Sequence, residues 1–202
     1  MALQPNVPGF VAGPVARRSG APVLFLDRDG VINVNHGYVH TAERTEWVPG
    51  ILPLLGEAAR LGYQVVVATN QAGIARGLYS IDEFTAYTHW QHQQLLEAGA
   101  PLLGTWFCPH HPTAGLGEFK LDCLCRKPGP GMLLKAIEYF SLDPAQALFV
   151  GDKVTDMEAA DAARIGRRVL LGEDVGAGEV PGGTCRIGTL DDAGVRNALL
   201  LP

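Results

Sequence analysis

Two carboxylates stand one residue apart in Asp27-Arg28-Asp29-Gly30, directly after the apolar run Val23-Leu24-Phe25-Leu26. Such a run is a buried strand. An acid at the carboxyl end of a strand in an open α/β sheet faces the crevice where ligands bind. There Asp27 can serve as a carboxylate nucleophile and Asp29 as the acid and base beside it. Alone, Asp-x-Asp-Gly is more often a plain turn, since both residue types favour turns. Two further strand ends repeat the arrangement. The β-branched run Gln64–Ala68 ends in Thr69-Asn70-Gln71, followed by Gly73, Arg76 and Gly77. A hydroxyl and exposed N–H groups there can hold phosphate oxygens. The run Ala147–Val150 ends in Gly151-Asp152-Lys153, with Asp156 behind. Asp152 can hold Mg²⁺ opposite Asp27, because Mg²⁺ takes few carboxylates plus water and phosphate oxygens. Taken singly, these are a polar turn and a helix-starting Asp. Arg126-Lys127 alone is an exposed basic pair. Together they suit a phosphoryl group, whose spread negative charge calls for positioned cations and donors.

A second constellation is Cys108-Pro-His110-His111-Pro followed by Cys123-Leu-Cys125. Three thiolates and one imidazole in a short loop form a closed tetrahedral Zn²⁺ set. His110 is the better ligand of the two histidines, and with no open position the metal is expected to be structural. Its task is to order residues 108–125, which are poor in apolar side chains, and so to position Arg126 and Lys127. Cys185 stands apart and reads as a small apolar filler.

These residues must be carried by strands alternating with helices. Ile51, Leu54, Leu55, Ala58 and Leu61 keep helical spacing over 50–61. Ser80 with Glu83 is a capping box opening a helix over about 81–98. Gly104–Cys108 is a short strand, Leu133 to Phe140 a helix, and Arg168–Leu171 a strand. Thr155 is expected to cap a helix running to about Ile165, and Leu190–Leu200 to form the last helix. The predicted fold is α/β, Rossmann-like, a mainly parallel sheet with helices on both faces and a zinc-binding loop.

The chain has 202 residues, 47% of them hydrophobic, which suits one domain over 21–202 with a sizeable core. Residues 1–20 hold three Pro, three Gly and Arg17-Arg18, and are expected to be a flexible leader. A net charge of −5 argues against an extended nucleic-acid surface. There is no bilayer-length apolar run and no export signal, so a cytoplasmic protein without membrane or nucleic-acid partners is expected. No coiled-coil or large apolar stripe is apparent, and a monomer is the expectation.

The set Asp27-x-Asp29, Thr69, Lys127 and Asp152 with Asp156 resembles the four motifs of the haloacid dehalogenase-like phosphatases over about residues 22–171. The resemblance implies Mg²⁺ dependence and a phospho-aspartyl intermediate. It gives Asp27 the attack on phosphorus and Asp29 the protonation of the leaving oxygen, then activation of water. Thr69 and Lys127 would hold the phosphoryl group. Asp152, Asp27 and the backbone carbonyl of Asp29 would hold Mg²⁺.

The loops carry the likeness further. Asn35-His36-Gly37-Tyr38, Thr69 to Gly77, Cys108 to Pro112, Cys125 to Pro128 and Gly151 to Lys153 resemble the branch that removes the 7-phosphate of heptose 1,7-bisphosphate for lipopolysaccharide precursors. That likeness implies substrate contacts from Asn35, His36, Gly37, Tyr38, Asn70, Gln71, Arg126 and Lys153. Ala72 and Asn35 depart from it, standing where close relatives often carry Ser and Asp. Histidinol-phosphate phosphatases share the zinc motif with a shorter loop. Twelve residues separate His110 from Cys123 here, which favours the heptose branch. The Thr69–Gly77 run also resembles DNA 3′-phosphatases, which need a basic groove that this charge does not supply.

Overall fold

The computed structural model describes residues 7–172, 179–191 and 193–200. In chain order the strands are β1 (Gly9–Ala12), β2 (Val23–Leu26), β3 (Gln64–Asn70), β4 (Leu102–Cys108), β5 (Leu148–Gly151), β6 (Arg167–Leu171) and β7 (Thr184–Ile187). The helices are α1 (Ile51–Arg60), α2 (Ala72–Ala75), α3 (Ile81–Glu97), α4 (Gly131–Phe140), α5 (Val154–Ala162) and α6 (Ala193–Leu200). One sheet holds all seven strands in the order β1-β4-β3-β2-β5-β6-β7. Only β1 runs antiparallel, against β4; the other pairings are parallel.

The strand order explains where chemistry can sit. From β2 the chain moves outward through β3 and β4, then returns to the other side of β2 as β5. That reversal leaves a crevice beyond the carboxyl ends of β2, β3 and β5, the topological switch point where ligands bind in such sheets. Asp27, Thr69 and Asp152 stand at those ends. Alternating residues of each strand feed two cores. Leu24, Leu26, Val65, Val67 and Val150 pack with α1 and α6 on one face. Phe25, Val66, Ala68 and Phe149 pack with α4 and α5 on the other. Helices thus cover both faces, as the sequence pattern predicts.

The capping box is present, with Ser80 Oγ accepting from Glu83 N at 3.1 Å and Glu83 Oε2 accepting from Ser80 N at 2.7 Å. Three expectations need correction. Residues 9–12 of the supposed flexible leader form edge strand β1, with Phe10 against Trp106 at 4.6 Å between ring centroids. Arg17 Nη1 and Arg18 N both donate to Gln64 Oε1, at 2.9 and 2.6 Å, so the described part of the leader is fastened to the sheet; residues 1–6 lie outside the described residues. Thr155 does not cap α5. Asp156 does, its Oδ2 accepting from the backbone N–H groups of Asp152 and Lys153 at 3.1 and 3.0 Å. Finally, Cys185 is exposed on β7, a strand the Gly-rich sequence around it conceals, and is not a core filler.

His92 fastens α3 to the sheet. Its Nε2 lies 2.8 Å from Thr105 Oγ1 on β4, and the ring is buried. Burial, then the neighbouring His89, pushes its pKa down from 6.5 to about 4. The folded state therefore favours neutral His92. Its contribution is present above pH 6.5 and is lost as pH falls towards 4, by about 3 kcal/mol in full. Denaturant unfolding from pH 7 to pH 4 should show this loss, and His92→Gln should flatten the slope over that interval.

Candidate active site

Asp27 leaves β2 as its first residue beyond the sheet, with its N–H still bonded to Val150 O at 3.0 Å. Gly30 turns the chain back with φ 95°, and a Cβ there would strike the Asp152 carboxylate, so this glycine lets Asp152 approach the Asp27–Gly30 turn. Lys127 Nζ is the hub. It lies 2.9 Å from Asp27 Oδ1, 2.7 Å from Asp156 Oδ1 and 2.8 Å from Ala68 O, and it is buried. Burial alone would lower its pKa; Asp156 and Asp27 outweigh burial and hold it above its ordinary value. Burial would likewise raise Asp27, but Lys127 and Lys153 overcome it and keep this carboxyl low. Asp27 Oδ2 is 4.0 Å from Lys153 Nζ, which itself reaches Asp152 Oδ1 at 3.2 Å.

Asp152 is pushed up to about 7 by burial and then by the charge of Asp27. Oxygens of Asp27, Asp152 and Asp156 lie within 4.8 Å of one another. Acids so close disfavour joint ionisation, and a divalent cation removes that conflict. Asp156 has both oxygens engaged, one on Lys127 and one on the backbone N–H groups of Asp152 and Lys153. Asp27 and Asp152 are therefore the side chains suited to a small hard cation such as Mg²⁺.

Asp29 is held by donors on both oxygens. Arg28 Nη2 reaches each at 2.8 Å, Asn33 Nδ2 reaches Oδ1 at 3.0 Å, and Gln71 Nε2 reaches Oδ2 at 3.1 Å. The same Gln71 nitrogen donates to Thr69 Oγ1 at 2.9 Å, and Gln71 Oε1 accepts from Tyr79 OH at 2.6 Å. Gln71 thus joins the ends of β2 and β3. Asn70 grips the Lys127 backbone with both amide atoms, its Nδ2 donating to Lys127 O and its Oδ1 accepting from Lys127 N, each at 3.0 Å. It positions the hub lysine.

Asp27, Asp29, Asn35, Gly37, Tyr38, Thr69, Asn70, Gln71, Lys127 and Lys153 all line one cavity of about 320 Å³. Its upper wall is the loop containing Tyr38, whose backbone is left-handed at φ 51°. Two sequence-predicted residues stand elsewhere. The His36 ring is 2.9 Å from Glu46 Oε2 and lines a separate shallow pocket. Arg126 Nη1 donates to His110 O at 3.2 Å, and its side chain is outside the lining of the cavity. Arg28 and Tyr79 were not singled out by sequence reasoning. Tyr79 lies beyond the short helix α2, and only tertiary packing brings its hydroxyl to Gln71.

The four predicted zinc ligands come together. Cys108 Sγ is 3.5 Å from Cys123 Sγ and 3.3 Å from Cys125 Sγ, Cys123 and Cys125 are 3.1 Å apart, and His110 Nδ1 is 3.3 Å from Cys125 Sγ. All four are buried. Hydrogen bonds with Cys123 and Cys125, then burial, push the Cys108 thiol far above its ordinary range, a conflict a central cation would resolve. A closed Cys₃His set of this kind fits Zn²⁺. It adjoins the active site directly, since Arg126-Lys127 follows Cys125.

This geometry can be set beside known proteins. The HAD-hydrolase-like family model matches residues 124–172. Two relatives are named D-glycero-beta-D-manno-heptose-1,7-bisphosphate 7-phosphatase. One, from Yersinia pestis, is 45% identical over 150 residues, covering 74% of this chain and 80% of its own. The other, from Escherichia coli K12, is 46% identical over 150 residues, covering 74% and 78%. The chain belongs to the heptose-bisphosphate phosphatase family of HAD-like hydrolases. Solved structures agree. A HAD-like phosphatase from Mesorhizobium loti superposes with a TM-score of 0.83 at 33% identity, covering 98% of this chain and 93% of its own. The D,D-heptose 1,7-bisphosphate phosphatase of B. bronchiseptica, complexed with magnesium and phosphate, gives 0.77 at 32%, covering 89% and 98%. Membership in a Mg²⁺-using phosphatase family accounts for the switch-point acids. It also makes the chain a phosphoric monoester hydrolase by kinship. No helix among the described residues is long and apolar enough to cross a membrane.

Proposed function

We propose that the protein removes the 7-phosphate of D-glycero-D-manno-heptose 1,7-bisphosphate in the cytoplasm, as a monomer, ahead of nucleotide activation of the sugar for lipopolysaccharide. One observation carries the mechanism. Asp27 has one oxygen pinned by Lys127 at 2.9 Å, while the other faces Lys153 in the cavity, free to approach phosphorus. In the reading, Asp27 Oδ2 attacks the 7-phosphoryl group and forms an acyl phosphate. Asp29, in its protonated form, gives that proton to the departing sugar oxygen. The carboxylate left behind, which Arg28, Asn33 and Gln71 favour by donating to it, then takes a proton from the water that hydrolyses the acyl phosphate. Thr69 Oγ and Lys127 Nζ hold the transferring oxygens. Asp27, Asp152 and the Asp29 backbone carbonyl would hold Mg²⁺, which when bound would neutralise phosphoryl charge. Cys108, His110, Cys123 and Cys125 would hold a structural Zn²⁺, which would fix the turn leading to Lys127.

The substrate is tested by phosphate release from heptose 1,7-bisphosphate, histidinol phosphate and 3′-phosphorylated DNA in parallel. The bisphosphate should be cleaved fastest, at the 7-position. A preference for histidinol phosphate in direct competition would assign the chain to that activity instead. Arg126 directly precedes Lys127 in the chain, and in this reading it meets a second anionic end of the substrate. Arg126→Ala should lower kcat/KM for the bisphosphate more than for an aryl phosphate, which has no second anion to lose. Equal losses would remove Arg126 from recognition. Elemental analysis should find about one Zn²⁺ per chain. Cys123→Ser should loosen that metal and depress activity through Lys127. Zinc-free protein that is fully folded and active would refute the structural role.

A further inference from the structure

Arg28 lies between the two central acids yet is buried. Its guanidinium carbon sits 5.4 Å from the Phe84 ring centroid and 5.3 Å from that of Tyr87, both on α3. Nη2 makes all its hydrogen bonds, to the two Asp29 oxygens at 2.8 Å each and to Val39 O at 2.7 Å. Val39 directly follows the loop Asn35–Tyr38 that walls the cavity. A second route joins the same loop to the same carboxylate. The His40 ring stacks on Tyr79 at 4.3 Å between centroids, Tyr79 OH donates to Gln71, and Gln71 Nε2 donates to Asp29.

We infer that Arg28 is a positioning residue that locks the Asp29 carboxylate to the substrate-walling loop, so that the proton donor is aimed only when that loop is in place. This rests on the acid–base role proposed above for Asp29. The physical need is clear. A proton donor acts only within about 2.6–3.2 Å of the leaving oxygen, and a misplacement of about 1 Å costs on the order of 10²-fold. A short Asp cannot secure that position by itself. A buried planar guanidinium packed against two rings can, because its own rotamer is fixed by packing.

The test compares kcat/KM, which reports steps through the first phosphoryl transfer, on two substrates. Heptose 1,7-bisphosphate has a sugar-alcohol leaving group that needs the proton. Dinitrophenyl phosphate has a leaving group that does not. Arg28→Met should lose on the order of 10²-fold on the bisphosphate and no more than about tenfold on the aryl phosphate. Asp29→Asn should show the same selectivity, and adding Arg28→Met to it should cause little further loss on the bisphosphate. If Arg28→Met fails to give a cooperative melt, Arg28→Gln carries the same comparison. Equal losses on the two substrates, or none, beside a selective Asp29→Asn, would make Arg28 a core plug and overturn the inference. A bisphosphate activity undiminished in Asp29→Asn would instead sink the acid–base reading itself.

Discussion

Asp27→Asn is expected to lower turnover by at least ~10³ while the fold is retained, the scale of loss when a covalent catalyst loses its attacking group. The amide keeps the shape of the carboxyl group. It removes the negative charge that attacks phosphorus and that shares Lys127 with Asp156. Asp156 remains to pair the lysine, so the buried cation is not stranded, and the melting temperature should change little. Mg²⁺ affinity should fall as well, because Asp27 is one of the two carboxylates suited to hold it. Titrating Mg²⁺ to saturation separates the two effects. A variant keeping a tenth of wild-type activity at saturating Mg²⁺ would be incompatible with a covalent role for Asp27.

The second large effect is expected at Lys127. Lys127→Met keeps the apolar stem and removes the charge. Two buried carboxylates, Asp27 and Asp156, then face each other without their shared cation. Breaking a buried ion pair from one side costs about 3–5 kcal/mol. The transferring phosphoryl group also loses a positioned cation, a term worth ~10²–10³ in rate. The variant should therefore melt markedly earlier and turn over at least ~10²-fold more slowly. Added Mg²⁺ should recover part of the stability and little of the rate, since it pairs the acids without replacing the Nζ donor. Calorimetry with and without Mg²⁺, beside steady-state rates, checks both halves. Unchanged melting would contradict the hub role of Lys127.

Much of the site is legible in the sequence because its acids, threonine and lysine sit at strand ends, and strand ends are marked by where apolar runs stop. Val23–Leu26 and Gln64–Ala68 end one step before a polar group and Ala147–Val150 two steps before one, and the sheet gathers those ends around β2. The cysteine spacing was equally informative, since three thiols and one imidazole in one loop have few other uses. What was hidden depends on partners distant in sequence. The Asn70 grip on Lys127 spans 57 positions, and the rings flanking Arg28 come from α3. His36 reads as a substrate group by its loop, yet in the fold it turns to Glu46. Strand β1 escaped because Pro and Gly around Gly9–Ala12 mask four residues whose pairing with β4 depends on the aromatic contacts of Phe10. The distinction between a magnesium-type and a zinc-type site does not depend on the fold, since thiolates select soft metals and carboxylates hard ones.

The most direct test is a rapid acid quench during turnover of heptose bisphosphate carrying labelled phosphorus at the 7-position, in wild type and in Asp29→Asn. Label should appear first on the peptide containing Asp27 and then as inorganic phosphate, and it should persist on that peptide in the variant, where water is not activated. Labelled phosphate released with no label ever on Asp27, or release of the 1-phosphate instead, would contradict it.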